Sequence, residues 1–195
     1  VVVGAGGGIG NALVELLAES PRVARVYGLT RRHPVLAHPR VTPLPFDLGD
    51  EASIAAAAAR CGADGPLHLV VVATGVLHDG AALQPEKSWR ALTAPSLAES
   101  FAVNAIGPAL LAKHFLPRLA TGEKAVFAAL SARVGSIEDN RLGGWYSYRA
   151  SKAALHMLLR TLAIELARRN PTALCVALHP GTVDTALSRP FQAGV

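Results

Sequence analysis

Apolar residues along this chain fall into short runs separated by longer stretches of helical period. Runs rich in Val, Ala and Leu occupy 1–3, 23–29, 41–46, 67–74, 125–131 and 173–179. Between them, 9–19, 51–61, 96–116 and 147–169 carry apolar positions at the three-to-four-residue spacing of helices that bury one face. Short, nearly continuous apolar runs are the mark of strands covered on both sides. Their alternation with helices predicts repeated β-α-β units and a parallel sheet. Right-handed crossovers then predict an α/β fold, a doubly wound parallel sheet with helices on both faces, forming a single domain over 1–195. Ligands in such sheets lie beyond the carboxyl ends of the strands, so the residues that follow each strand are the candidates for chemistry. The segments 33–40 and 78–93 hold Pro, His and Gly and read as connections.

Composition narrows the partners. With 51% hydrophobic and 17% charged residues, 195 residues suit one domain with a well-covered sheet. The formal net charge of +5 raises the question of a polyanion. The arginines, however, are dispersed as singles and as pairs such as Arg31–Arg32 and Arg168–Arg169, and aromatics make up only 5%, so no nucleic-acid partner is expected. No apolar stretch approaches the ~18 residues of a membrane span, so no membrane partner is expected. Cys61 and Cys175 stand far apart without metal-ligand spacing. They read as buried thiols in a reducing compartment, giving an expectation of no metal and a cytoplasmic location. The first apolar run starts at residue 1 without a Met, so the natural chain is expected to begin a few residues earlier.

The first run passes into Gly4-Ala5-Gly6-Gly7-Gly8-Ile9-Gly10 and then into a helix. Gly4 permits a tight exit from the strand. Gly8 and Gly10 let backbone approach a pyrophosphate at a helix N-terminus, whose free N–H groups and dipole favour phosphate, with Ile9 packed under the turn. At the first strand of a β-α array, this is the turn of a Rossmann-type dinucleotide site. After the second run, Thr30-Arg31-Arg32 stands where an NAD-selective site places a carboxylate for the ribose 2′-hydroxyl. Two arginines supply charge and forked donors for a 2′-phosphate, predicting NADP(H) over NAD(H); the alternative is a solvated basic loop. After the third run, Phe46-Asp47-Leu48 places a carboxylate to accept from an adenine amino group or, equally, to cap the helix beginning at Glu51.

The densest chemistry lies in Gly143-Gly144-Trp145-Tyr146-Ser147-Tyr148-Arg149-Ala150-Ser151-Lys152. Tyr148 and Lys152, four apart, share one helix face. An ammonium beside a phenol stabilises phenolate and lowers its pKa from about 10, which suits the tyrosine to proton exchange with a carbonyl–alcohol pair. Chance produces this spacing readily, so its weight depends on what accompanies it.

In order along the chain stand Gly4-x-x-x-Gly8-x-Gly10, Asn104 within Phe101-Ala102-Val103-Asn104-Ala105, a serine after the fifth run, Tyr148-x-x-x-Lys152, and Pro180-Gly181-x-x-x-Thr185 after the sixth. Together these resemble the short-chain dehydrogenase/reductase family over essentially the whole chain. The stretches Ser131-Ala132-Arg133-Val134-Gly135-Ser136-Ile137 and 144–152 resemble its carbonyl-reductase branch, which holds the sniffer-like and C-factor-like proteins. The resemblance implies an NADP(H)-dependent oxidoreductase acting on a small carbonyl or alcohol substrate. Tyr148 would be the proton donor and Lys152 would hold the nicotinamide ribose. Asn104, at a helix kink, would position a water of a proton relay, and a serine would orient the carbonyl. Ala73, Thr74, Gly75, Pro180, Gly181, Val183 and Thr185 would border the cofactor. It also implies a homodimer or homotetramer through the helices at 96–116 and 147–169, and a final strand and helix expected beyond residue 195. C-factor-like relatives supply an alternative, a cofactor-binding signalling protein with little turnover.

The chain departs from the family pattern in two further places besides Val72-Ala73-Thr74-Gly75, which replaces Asn-Asn-Ala-Gly. Val3 stands where a Thr often steadies the glycine turn. Counting back from Gly135, Ala132 occupies the usual serine position and Ser131 comes one residue early, which in a regular strand reverses its face. A bulge at the strand end would return Ser131 to the site. Ser136 could serve instead, or no serine at all; Ser131 is the expected one.

Overall fold

Six parallel strands form one sheet in the order β3-β2-β1-β4-β5-β6 in the computed structural model, which describes residues 1–31, 36–80 and 82–192. The elements run β1 (Val2–Val3), α1 (Gly8–Glu19), β2 (Val26–Thr30), β3 (Val41–Pro45), α2 (Glu51–Gly62), β4 (Leu69–Val72), α3 (Ala94–Phe101), α4 (Gly107–Phe115), β5 (Ala125–Leu130), α5 (Tyr146–Arg169) and β6 (Ala173–Leu178). The doubly wound α/β sheet is as expected. Its strand order reverses between β1 and β4, which is where a crevice opens at the carboxyl ends.

Alternation of side chains divides the core into two layers. On one face Val3, Leu29, Val70, Val72, Phe127 and Ala129 pack with Ile54 of α2, Leu111 and Phe115 of α4, and Leu155 and Leu159 of α5. On the other, Val2, Val26 and Val41 pack with Val14 and Ala18 of α1. Pro43 and Pro45 are tolerated in β3 because it is an edge strand, paired only with β2. β6 is the opposite edge, and on the face away from α5 its Leu174 and Leu178 are exposed.

The helix expected over 96–116 is present with an irregularity at Asn104, where the family resemblance implied a kink. It begins at Ala94, after Thr93 has capped it by accepting from the Ser96 N–H, and it is interrupted by a π-helical turn over Ala102–Ile106. Apolar periodicity does not register the extra residue that such a turn inserts. β2 and β4 are shorter than their apolar runs. Leu67, at the start of the fourth run, makes only an isolated bridge to Leu119.

Cys61 and Cys175 are buried free thiols, each pushed up to about 11 by burial. Among the described residues no helix is long and apolar enough to cross a membrane, and no group of His, Cys, Asp and Glu is placed to hold a metal.

Candidate active site

Beyond the carboxyl ends of β1, β4, β5 and β6 lies a cleft of about 680 Å³. One end is built from the glycine turn. Gly4 leaves β1 with φ +85°, a left-handed conformation that glycine adopts freely. The N–H groups of Gly4 and Ala5 both donate to the Leu29 carbonyl, at 2.9 and 3.0 Å. These backbone bonds steady the turn that Val3 has no hydroxyl to steady. Gly10 lets α1 sit on the turn, since a Cβ there would lie 2.1 Å from the Gly4 carbonyl oxygen. The N-cap of α1 is Gly7, in extended backbone and with no side chain capping it. The first N–H groups of the helix therefore face the cleft open to an anion. Ile9 lines the cleft rather than packing under the turn.

The other end is carried by α5. Gly143, Gly144 and Trp145 enter it with φ of 65°, 64° and 53°. A left-handed tryptophan is strained, and Glu86 holds it. The Glu86 carbonyl accepts from Trp145 N–H, and its carboxylate accepts from the Ser147 N–H and hydroxyl. Glu86 is thus a buried cap that fixes the start of the helix bearing Tyr148 and Lys152. The Trp145 ring stands edge-on to Tyr148, at 6.2 Å between centroids, and to Phe191, at 5.1 Å.

Lys152 is only 4% exposed and donates from Nζ to the Leu130 carbonyl at 3.1 Å. Burial lowers its pKa to about 8. The expectation that this ammonium holds the phenol below its usual value is corrected: burial raises Tyr148. Desolvation disfavours the charged form of both groups, and Nζ is aimed at the carbonyl, 5.7 Å from the tyrosine ring centroid.

Asn104 sits in the π-helical turn, fully buried. Its Oδ1 accepts from Val76 N–H and its Nδ2 donates to the Val76 carbonyl, both at 2.8 Å, and to Ser151 Oγ at 3.1 Å. A Cβ at Gly75 would lie 3.5 Å from Asn104 Oδ1 and 3.7 Å from Lys152 Nζ. The two groups therefore border one small space, which only a glycine keeps open.

Ser131 is buried and lines the cleft, as does Ala132. The bulge invoked for it is absent: Ser131 N–H donates to the Leu178 carbonyl and continues the β5–β6 ladder. Its side chain accordingly falls on the α5 face, where Oγ lies 2.6 Å from His156 Nε2. Ser136 lies outside the cleft lining and accepts from Asp139 N–H.

Of the other predicted residues, Gly8, Ala73, Thr74 and Gly75 line the cleft from the β1 and β4 side. Pro180, Gly181, Val183 and Thr185 line it after β6. Gly8 lets Thr185 approach, since a Cβ there would lie 2.8 Å from Thr185 Cγ2. Arg31 is exposed, just past β2, and Arg32 lies outside the described residues. Asp47 and Leu48 do not line the cleft. The helix-capping alternative for Asp47 is corrected as well: Asp50 caps α2, while Asp47 accepts from Gly49 N–H in its own loop. Leu48 packs against Gly107, where an added Cβ would lie 2.6 Å from its Cγ.

The cleft suits a dinucleotide on two observations from these residues. The open helix start awaits an anion. Thr74 Oγ1, on the cleft wall, is the one buried side-chain polar atom without a hydrogen-bond partner among the described residues. Trp145, Phe191, Glu86 and His156 were not foreseen. Only His156, four residues beyond Lys152, carries a sequence signal that could have found it.

A sheet in this order, an uncapped glycine turn after its first strand and a Tyr–Lys pair at its carboxyl edge define an α/β domain of the dinucleotide-binding class. The short chain dehydrogenase family profile matches residues 1–194, and the chain belongs to that family. It is 39% identical over 94 residues to C-signal of Myxococcus xanthus, a match covering 48% of this chain and 55% of that protein, so the chain spans about half of this relative's length there. The crystal structure of NADPH-bound carbonyl reductase from chicken fatty liver superposes with a TM-score of 0.80 at 32% identity, over 95% of this chain and 76% of that one. Carbonyl reductase Sniffer of Drosophila melanogaster superposes at 0.81 with 25% identity, over 94% and 80%. The carbonyl-reductase-like branch is thereby borne out.

Proposed function

We propose that the chain is the core of an NADP(H)-dependent oxidoreductase that interconverts a small, mostly apolar carbonyl compound and its alcohol, with Tyr148 as acid and base. The observation that carries this is the half-buried Tyr148 with the buried Lys152 one turn along α5, opening on the same cleft as the uncapped N-terminus of α1. A reduced nicotinamide, when bound, supplies the hydride. The backbone N–H groups after Gly7 hold its pyrophosphate, and Arg31 with Arg32 hold the 2′-phosphate. Lys152 holds the nicotinamide ribose hydroxyls, while Thr74, Pro180, Gly181, Val183 and Thr185 border the ring.

Tyr148 Oη gives its proton to the substrate carbonyl oxygen. Asn104 Oδ1 and Lys152 Nζ, bordering the space beside Gly75, hold the water through which the phenolate is reprotonated. Ser131 orients the carbonyl. Trp145 and Phe191 form the apolar wall against which the substrate lies. NADPH-bound carbonyl reductase among the structural relatives supports the cofactor choice over NAD(H). The exposed Ile106, Met157 and Ile164 on the long helices support a homodimer or homotetramer, which light scattering tests. A cytoplasmic location accords with two unpaired thiols.

The test mixes the protein with NADPH and a panel of aldehydes and ketones and follows the reduced cofactor by absorbance. Saturable consumption that Tyr148→Phe abolishes is the expected result. The similarity to C-signal favours a second reading, a cofactor-binding signal. Tight NADPH binding with no turnover on any member of the panel selects that reading.

A further inference from the structure

Ser131 has a partner that the reaction outlined above does not use. His156 stands one helical turn beyond Lys152, so Tyr148, Lys152 and His156 occupy successive turns of one face of α5. Its Nε2 is 2.6 Å from Ser131 Oγ. The ring is wedged against the turn after β5: a Cβ at Gly135 would lie 2.9 Å from His156 Cε1 and equally close to the Lys152 backbone. Gly135 therefore leaves the room through which the imidazole reaches the serine.

A hydroxyl at this distance shares a single proton with the nitrogen. When Nε2 is unprotonated, Ser131 donates to it and presents only lone pairs to the cleft. When Nε2 carries a proton, it donates to Oγ, and the serine's own proton is freed. We propose that His156 is a positioning residue that sets the direction of the Ser131 hydroxyl: the neutral ring, as the tautomer protonated on Nδ1, draws the serine proton away from the cleft, and the imidazolium releases it toward a substrate carbonyl oxygen. This gives a role to a serine that is one residue out of the family register. It rests on the function proposed above.

The surroundings keep the ring neutral near pH 7. Burial and the Lys152 ammonium lower its pKa below 6.5, and the Gly135 main chain opposes them. Arg160 lies one turn further along α5. On the segment before α5, Arg133 is paired with Asp139 at 2.8 Å. From α3 the titratable group is Glu99, and from α4 they are Lys113 and His114, both bound to Glu51. β6 offers the buried Cys175 thiol. None of these carboxylates acts on the ring.

Two measurements test the proposal. The first follows the His156 ring by NMR titration without cofactor or substrate. A midpoint below 6.5 that Ser131→Ala displaces is expected, and a midpoint unmoved by that change overturns the coupling. The second is the pH profile of kcat/KM for carbonyl reduction. The unmodified protein should gain up to about tenfold as pH falls through the His156 midpoint that the NMR titration finds, the worth of one hydrogen bond made on protonation. His156→Asn, which can still bond Ser131 but does not titrate, and Ser131→Ala should both lack this rise. A rise that persists in His156→Asn overturns the proposal. A protein with no turnover at any pH defeats the function proposed above and the carbonyl half of this inference together, while the NMR titration still decides whether ring and hydroxyl are coupled.

Discussion

The two ends of the cleft are held in different ways. At the α5 end the groups that flank the half-buried Tyr148 are buried and tied down. Lys152 is bound to the Leu130 carbonyl, Asn104 to both backbone groups of Val76, and the helix start to Glu86. At the glycine end the backbone alone shapes the site, and Arg31 and Asp47 stand exposed. The contrast follows from what each end must do. A proton donor has to be fixed and desolvated, which costs stability, because burial works against every charge it needs. A phosphate needs unsatisfied N–H groups facing open space, and a glycine turn supplies these without burying a charge.

The largest expected effect falls on the buried end. Tyr148→Phe should lower kcat by about 10²- to 10⁴-fold, the usual worth of a positioned acid, and leave NADPH affinity unchanged in a fluorescence titration. Retained turnover would show that the proton comes from elsewhere and would dissolve the distinction between the ends. Next comes the glycine turn. Gly10→Ala forces a Cβ to 2.1 Å from the Gly4 oxygen. It should cost about 3 kcal/mol in denaturant melts and weaken NADPH binding as the turn shifts.

How far these features were legible depends on whether they are local. The alternation of apolar runs and helices, the glycine turn and the Tyr148–Lys152 spacing are patterns within a few residues, and the sheet and cleft follow from them. Asn104 and a kink there were marked by the family motif, but not by the apolar period, which blurs the single residue that a π-helical turn inserts. Glu86 was invisible for another reason: it reaches Ser147 across 61 residues, and nothing near it in sequence marks a helix cap. The orientation of Ser131 depends on whether a strand end bulges. The pairing with Leu178 decides that, and no neighbour in sequence does.

A smaller effect measures what the buried end costs. Burial depresses Lys152 from 10.5 to about 8, so folding is penalised wherever the ammonium is charged in both states. The penalty is full below about pH 8 and fades as pH rises toward the free value. Lys152→Met removes this penalty of about 3 kcal/mol but leaves the Leu130 carbonyl without its donor, costing about 1–2 kcal/mol. A net gain of about 1–2 kcal/mol at pH 7 is expected by urea melts. The unmodified protein should gain stability between about pH 8 and about 10, and the variant should not. A variant less stable than its parent at pH 7 would show that the buried amine is not a burden.

The smallest effect belongs to the exposed end. Arg31 is held by solvent-facing geometry, so its contact with a 2′-phosphate is screened and worth about 1 kcal/mol. Arg31→Ala should weaken NADPH about fivefold and leave NADH unchanged, because NADH has no phosphate for the guanidinium to meet. Isothermal titration with both cofactors at low and high salt separates the outcomes. The NADPH loss should shrink as salt rises, since screening already weakens the contact in the unmodified protein. Equal loss for both cofactors would place Arg31 in support of the β2 end rather than on the phosphate. The glycine end would then hold the dinucleotide through backbone alone.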